Sequence, residues 1–153
     1  MDLSNDKVTI MMRLLGSQNI CKALNYSQSN FLDQPDIEDT SVLIYNKIYP
    51  YKFVPVADDN ANNYITLSFR NYDLVNTSFK SGYIYINVLV HINLMQTDYG
   101  WLRSDYILSE IDKLMNQQRG IGIGKPQFYK MDEMYVNDKY FGIYIAYKMN
   151  ELN

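Results

Sequence analysis

The sequence predicts an α+β domain in which a helix packs across one face of an antiparallel sheet, and three observations predict it. Residues 83–92 alternate strictly, with Ile84, Ile86, Val88, Val90 and Ile92 on one side and Tyr83, Tyr85, Asn87, Leu89 and His91 on the other. A strand that buries one face demands that period of two. Residues 103–117 carry Ile107, Leu108, Ile111, Leu114 and Met115 at the spacing of an apolar helical stripe. The chain has 153 residues, 47% of them apolar, enough for one hydrophobic core.

The elements follow in order. Val8, Ile10, Met11, Leu14 and Leu15 recur near helical spacing, with Ser4 or Asp6 able to cap the helix and Gly16 to end it. A short second helix is expected over Ser17–Asn25, with Ile20, Cys21 and Leu24 on one side. The polar stretch Tyr26–Asp39 reads as a long loop, and Thr40–Ile48 as another helical turn or two bearing Val42, Leu43 and Ile48. Residues 1–48 are thus mainly helical. Pro50 and Pro55 hold Tyr49–Pro55 extended, because proline disfavours the helical region for the residue before it.

From residue 63 to 149 the order is strand, strand, helix, strand, strand. Tyr64–Phe69 alternates, with Ile65, Leu67 and Phe69 on one face. Asn71–Ser81 is polar and turn-prone, and reads as a long hairpin loop. Gln96–Trp101 turns into the main helix, with Ser104 as its cap, Asp105 near its positive end and Arg119-Gly120 as its stop. Two strands near Gln127–Val136 and Tyr140–Met149 meet across Asn137-Asp138-Lys139, a strong turn signal. Phe141, Ile143, Ile145, Tyr147 and Met149 share one face of the last strand.

Sites for chemistry are sparse. Cys21 is the only cysteine, among apolar neighbours where a small buried hydrophobe is the simpler reading. His91 is the only histidine, expected to be structural or on the surface, and it excludes histidine-clustered metal sites. Asp58-Asp59 and Asp132-Glu133 are adjacent carboxylates, but adjacent side chains on an extended chain point apart. Gly120-Ile121-Gly122-Ile123-Gly124-Lys125 follows a helix and precedes a strand, the reverse of a phosphate-binding loop. No enzyme, metal or cofactor is expected from these residues. The 14 basic and 17 acidic residues are dispersed, which argues against a nucleic-acid binder with a concentrated basic face. No apolar run approaches the ~20 residues of a membrane span, and the acidic, polar start is unlike a secretory signal, so a cytoplasmic origin is expected.

The anomaly is 15 tyrosines, a residue enriched in interface cores. They fit either a subunit that buries much of its surface in a complex or simply a tyrosine-rich sheet. Candidate contact residues are Tyr72, Phe79 and Lys80 from the Asn71–Ser81 loop, and Asp98, Tyr99, Trp101 and Arg103 from the turn before the main helix. Tyr99 and Trp101 could equally pack under the helix as core. The aromatic segment Tyr49–Val54 could cross the sheet edge, reach a neighbouring subunit or join the core.

The runs Ile48-Tyr49-Pro50-Tyr51-Lys52-Phe53-Val54-Pro55, Met95-Gln96-Thr97-Asp98-Tyr99-Gly100-Trp101-Leu102-Arg103 and Glu110-Ile111-Asp112-Lys113-Leu114-Met115-Asn116 resemble the small neck proteins of tailed bacteriophages. The order of elements over residues 63–149 resembles the tail-terminator fold, which implies an antiparallel or mixed sheet of four to five strands with helices on one face. The resemblance further implies a structural virion protein, assembled in the host cytoplasm, whose homo-oligomeric ring, typically a hexamer, caps the tail tube. Its implied partners are the tail tube protein, the head–tail connector or stopper protein, and the sheath where a tail is contractile. DNA would only pass through the lumen, and no membrane would be involved. Head closure or another neck adaptor is the second structural expectation. A small non-enzymatic protein-binding module is the third.

Overall fold

The computed structural model describes residues 1–153 and is α+β, three helices over one mixed five-stranded sheet. The helices are α1 (Leu3–Leu15), α2 (Gln18–Asn25) and α3 (Arg103–Met115). The strands are β1 (Ile48–Tyr49), β2 (Asn63–Leu74), β3 (Phe79–His91), β4 (Ile123–Asn137) and β5 (Tyr140–Leu152), in spatial order β1-β2-β3-β5-β4. All pairs are antiparallel except β1, whose Ile48 lies parallel to Ile65 of β2.

The alternation in β3 places Ile84, Ile86, Val88 and Val90 on the covered face, all fully buried. Register then fixes the rest of that layer. Leu67 lies opposite Ile86, and Ile86 opposite Ile145 of β5. The helices bury Ile10, Leu14, Ile20, Leu24, Ile107 and Ile111 against these strands, making one continuous core. Cys21 belongs to it, and burial pushes its thiol up to about 11. The helix at 103, the two hairpins and the shared face of the last strand match the pattern read from the sequence.

Several local expectations are corrected. Asp2 caps α1 through a bond from the Asn5 amide, so neither Ser4 nor Asp6 does; Asp6 is buried one turn inside the helix. Ser104 also lies inside its helix, which begins after Leu102 without a side-chain cap and stops at Met115, short of Arg119-Gly120. Val8, Val42 and Ile92 are exposed; Ile92 falls beyond the end of β3, where the chain turns and the strand alternation no longer applies. Thr40–Leu43 is a 3-10 turn, and a second such turn, Phe31–Asp33, interrupts the expected loop and buries Phe31 fully.

The largest correction is Asn71–Ser81. Most of it is strand, since β2 runs to Leu74 and β3 begins at Phe79. Asn71 adopts left-handed geometry (φ 57), which asparagine tolerates, and the register shifts between Arg70 and Asp73. That bulge turns Tyr72 onto the helix-covered face, stacked on Phe69. Gly82 makes room for it: a Cβ there would stand 2.3 Å from the Tyr72 ring.

Candidate assembly surface

The candidate contact residues separate once they are placed in the fold. Arg103 is fully buried. Its guanidinium donates to the carbonyls of Leu94 (2.9 Å), Ala23 (2.9 Å), Tyr26 (2.8 Å) and Gln28 (3.0 Å), and lies 4.5 Å over the Phe31 ring. It therefore organises the chain's interior and is not a surface contact. No carboxylate pairs with it, and burial lowers its pKa to about 10. Trp101 stacks on Tyr106 at 4.4 Å and Tyr99 on Trp101 at 4.8 Å, with Phe31 at their edges. These aromatics pack against the core beside the helix, the alternative to a contact role. Asp98 is exposed, and its amide is tied to the Ser29 carbonyl.

Tyr72 is half-buried, and Lys80 is a strand residue opposite Glu151. Phe79 remains exposed beside Val75, Ile123, Gly124 and Asn150, at the sheet end formed by the β2–β3 turn. Beneath Tyr72, Asp6 of α1 and Glu151 of β5 bring two carboxyls together away from water. Burial, then the neighbouring Asp6, pushes Glu151 up to about 8. The Asp6 Oδ1 accepts from the Gly122 amide, while Asp6 Oδ2, Glu151 Oε1 and the Tyr72 hydroxyl lack partners. A proton held on Glu151 relieves that arrangement.

The sheet's other face is where most of the tyrosines gather. At one end the segment after β1 lies back over the strands. Phe53 stacks on Tyr49 at 4.1 Å and tilts on Tyr64 at 5.0 Å; Tyr64 meets Tyr140, and Tyr140 meets His91. Tyr49–Val54 thus crosses the sheet, leaving Tyr51 and Val54 exposed. His91 is buried; its Nδ1 accepts from the Asn93 amide and its Nε2 meets the Asp58 carbonyl at 2.8 Å, a structural role. Cys21 lies in the helical layer on the opposite side of the sheet, bonded to the carbonyls of Leu14 and Leu15, so the two form no nucleophile–base pair. Asp59 pairs with Lys139 at 3.0 Å, and Asp132 and Glu133 are exposed. No group of three or more His, Cys, Asp or Glu side chains comes together to hold a metal ion.

At its other end this face is open. Tyr83 packs on Tyr129 at 4.2 Å, Tyr85 on Tyr144 at 5.2 Å, and Arg70 lies 4.7 Å over Tyr85. Arg70, Tyr85, Asn87, Met134 and Tyr144 line a groove there, with Lys130 and Lys148 beside it on β4 and β5. The Tyr144 hydroxyl next to Lys130 holds that ammonium above its ordinary value. The adjoining strand β4 is exposed from Gln127 to Glu133, and only its far end meets the Phe53–Pro55 segment. Its Phe128, Tyr129, Met131 and Tyr135 are exposed, Tyr135 at 81%. Sequence reasoning missed this surface although its signal was present, in Tyr83 and Tyr85 alternating opposite the apolar row of β3.

No helix is long and apolar enough to cross a membrane. No curated protein matches the sequence. A protein-family model, YomW, matches residues 17–149, most of the chain, and the chain belongs to that family. The family derives from phage genes, and this chain is a phage-related protein.

Proposed function

We propose that this YomW-family chain is a non-enzymatic structural subunit of the phage particle, a tail terminator whose ring caps the tail tube and joins it to the head connector. The observation that carries the reading is the uncovered sheet surface. Tyrosine, arginine and methionine side chains crowd the groove around Arg70 and Tyr85 and the neighbouring strand β4. Those residue types are the ones enriched where proteins meet. Contiguous exposed apolar surface of this kind marks contact sites in soluble proteins. The resemblance of the three runs to neck proteins and the phage origin of the family support a virion as the setting of that contact. The end patch at Val75 and Phe79 offers a second, separate apolar surface, as a subunit that touches both a neighbour and a tube requires.

Imaging particles made without this protein tests the reading. Tails of irregular length on unjoined heads are expected for a terminator. Tails of normal length that fail to join heads would move the protein to head closure. Wild-type particles and titre would refute a neck role altogether.

A further inference from the structure

Resting on the ring reading above, we propose that the open tyrosine-rich sheet face of one subunit docks on the acidic groove between α3 and β4 of a second copy of this chain, head to tail. Two opposite surfaces of the same molecule motivate this. The first carries Arg70, Lys130 and Lys148 around Tyr83, Tyr85 and Tyr144. The second is a groove on the helix side, rimmed by Asp105, Asp132 and Glu133 and floored by Leu108, Met131 and Ile143. None of these three cations or three carboxylates forms an ion pair within the chain. The groove therefore combines apolar area with negative charge alone, and the tyrosine face combines it with three cations, with the carboxylates of Asp132 and Asp73 at its margins.

The charges decide the symmetry. Because the two patches lie on opposite sides of the sheet, a two-fold contact through either face sets that face against its own copy, Arg70 and Lys130 against cations or Asp105 and Glu133 against carboxylates. Like charges juxtaposed at an interface cost several kcal/mol. Only a heterologous contact sets the cationic face against the acidic groove, and such contacts generate rings or filaments. The apolar floor of the groove can receive tyrosine rings, whose amphipathic bodies bury area at low entropic cost. Asp132, across the strand pair from Tyr144, is the one carboxylate at the margin of both surfaces, which disfavours a polyanionic nucleic acid on the tyrosine face.

The test is a charge swap read by analytical ultracentrifugation of the full-length chain. Wild type is expected to self-associate, more weakly as salt rises. Arg70→Glu with Lys130→Glu, and separately Asp105→Lys with Glu133→Lys, should each weaken association by roughly 100-fold. An equal mixture of the two variants should recover it, because each altered surface then finds its complement on the other chain. Circular dichroism melts establish that both variants fold, and the single substitutions Arg70→Gln and Glu133→Gln serve if a double variant does not. Wild-type assembly by the Arg70/Lys130 variant, no recovery on mixing folded variants, or a monomeric wild type would each overturn the proposal. Binding of a labelled single-stranded oligonucleotide that depends on Arg70 and Lys130 would likewise overturn it in favour of nucleic acid. Loss of self-association alongside normal particles lacking the protein would leave the interface standing and remove the neck role. Unaltered association alongside defective particles would do the reverse.

Discussion

Replacing Arg103 by Met should unfold the chain far more readily without touching any exposed surface. The guanidinium satisfies carbonyls on three separate stretches: Leu94, Ala23, and the Tyr26 and Gln28 pair that follows α2. Each short bond from a charged donor contributes ~1.5–3 kcal/mol, and a buried carbonyl left without a donor costs ~1–3 kcal/mol. Against this stands the expense of keeping an unpaired cation inside the protein, which methionine removes. Water can reach the part-buried carbonyls of Tyr26 and Gln28, and Ala23 keeps a donor in the Asn63 amide, whereas the carbonyl of Leu94 is left enclosed and unpaired. The balance is a loss of about 3–5 kcal/mol, set against the 5–15 kcal/mol typical of whole proteins. At this chain length that corresponds to a fall of roughly 10 °C in Tm. Urea unfolding followed by circular dichroism measures the loss. Limited proteolysis should cut first between Tyr26 and Asn30, the stretch that Arg103 holds. Arg103→Lys should recover little, because one ammonium cannot replace a planar fork that donates in several directions. A stability within about 0.5 kcal/mol of wild type for Arg103→Met would refute the argument, since that is the range of substitutions at featureless surface sites.

Three other predictions follow from the interior. Trp101→Ala should cost about 3 kcal/mol of monomer stability through its stacks on Tyr99 and Tyr106, with association of the remaining folded chains unchanged in sedimentation. Gly82→Ala should destabilise by ~1–3 kcal/mol because its methyl meets the Tyr72 ring; in the Tyr72→Ala background the penalty should largely vanish, a non-additivity readable in a double-mutant cycle. Glu151 binds its proton more tightly in the fold, at about 8 against 4.5 for an ordinary glutamate, so its contribution is complete below pH ~4.5 and lost as pH rises towards 8. The groups facing it are Asp6 and Asp2, Tyr72, and the N-terminal ammonium, which alone favours ionisation. Stability measured by urea titration should therefore fall by up to ~1.4 kcal/mol per pH unit across that window, and Glu151→Gln should flatten the slope; an equally steep slope in that variant would assign the effect elsewhere.

The sequence by itself determined the α+β class, the alternating strand β3, the helix α3 and the two antiparallel hairpins. Each of these is written in local periodicity: a residue's neighbours two, three or four positions away decide which face it joins. The single cysteine could likewise be read as a buried hydrophobe from its neighbours in the chain, and the histidine only as structural or on the surface. Tertiary structure decided everything that turns on register or on distant partners. One left-handed residue at Asn71 moved Tyr72 to the covered face, and no alternation pattern carries that shift. Parallel pairing of the two-residue β1 with β2 depends on a contact between Ile48 and Ile65, too short a run to announce itself. Arg103 looks like a surface cation until Ala23, Tyr26 and Gln28, some 75 to 80 positions away, close around it. The tyrosines were countable from the start, but their grouping with Arg70, Lys130 and Lys148 on one open face exists only because four strands set them side by side.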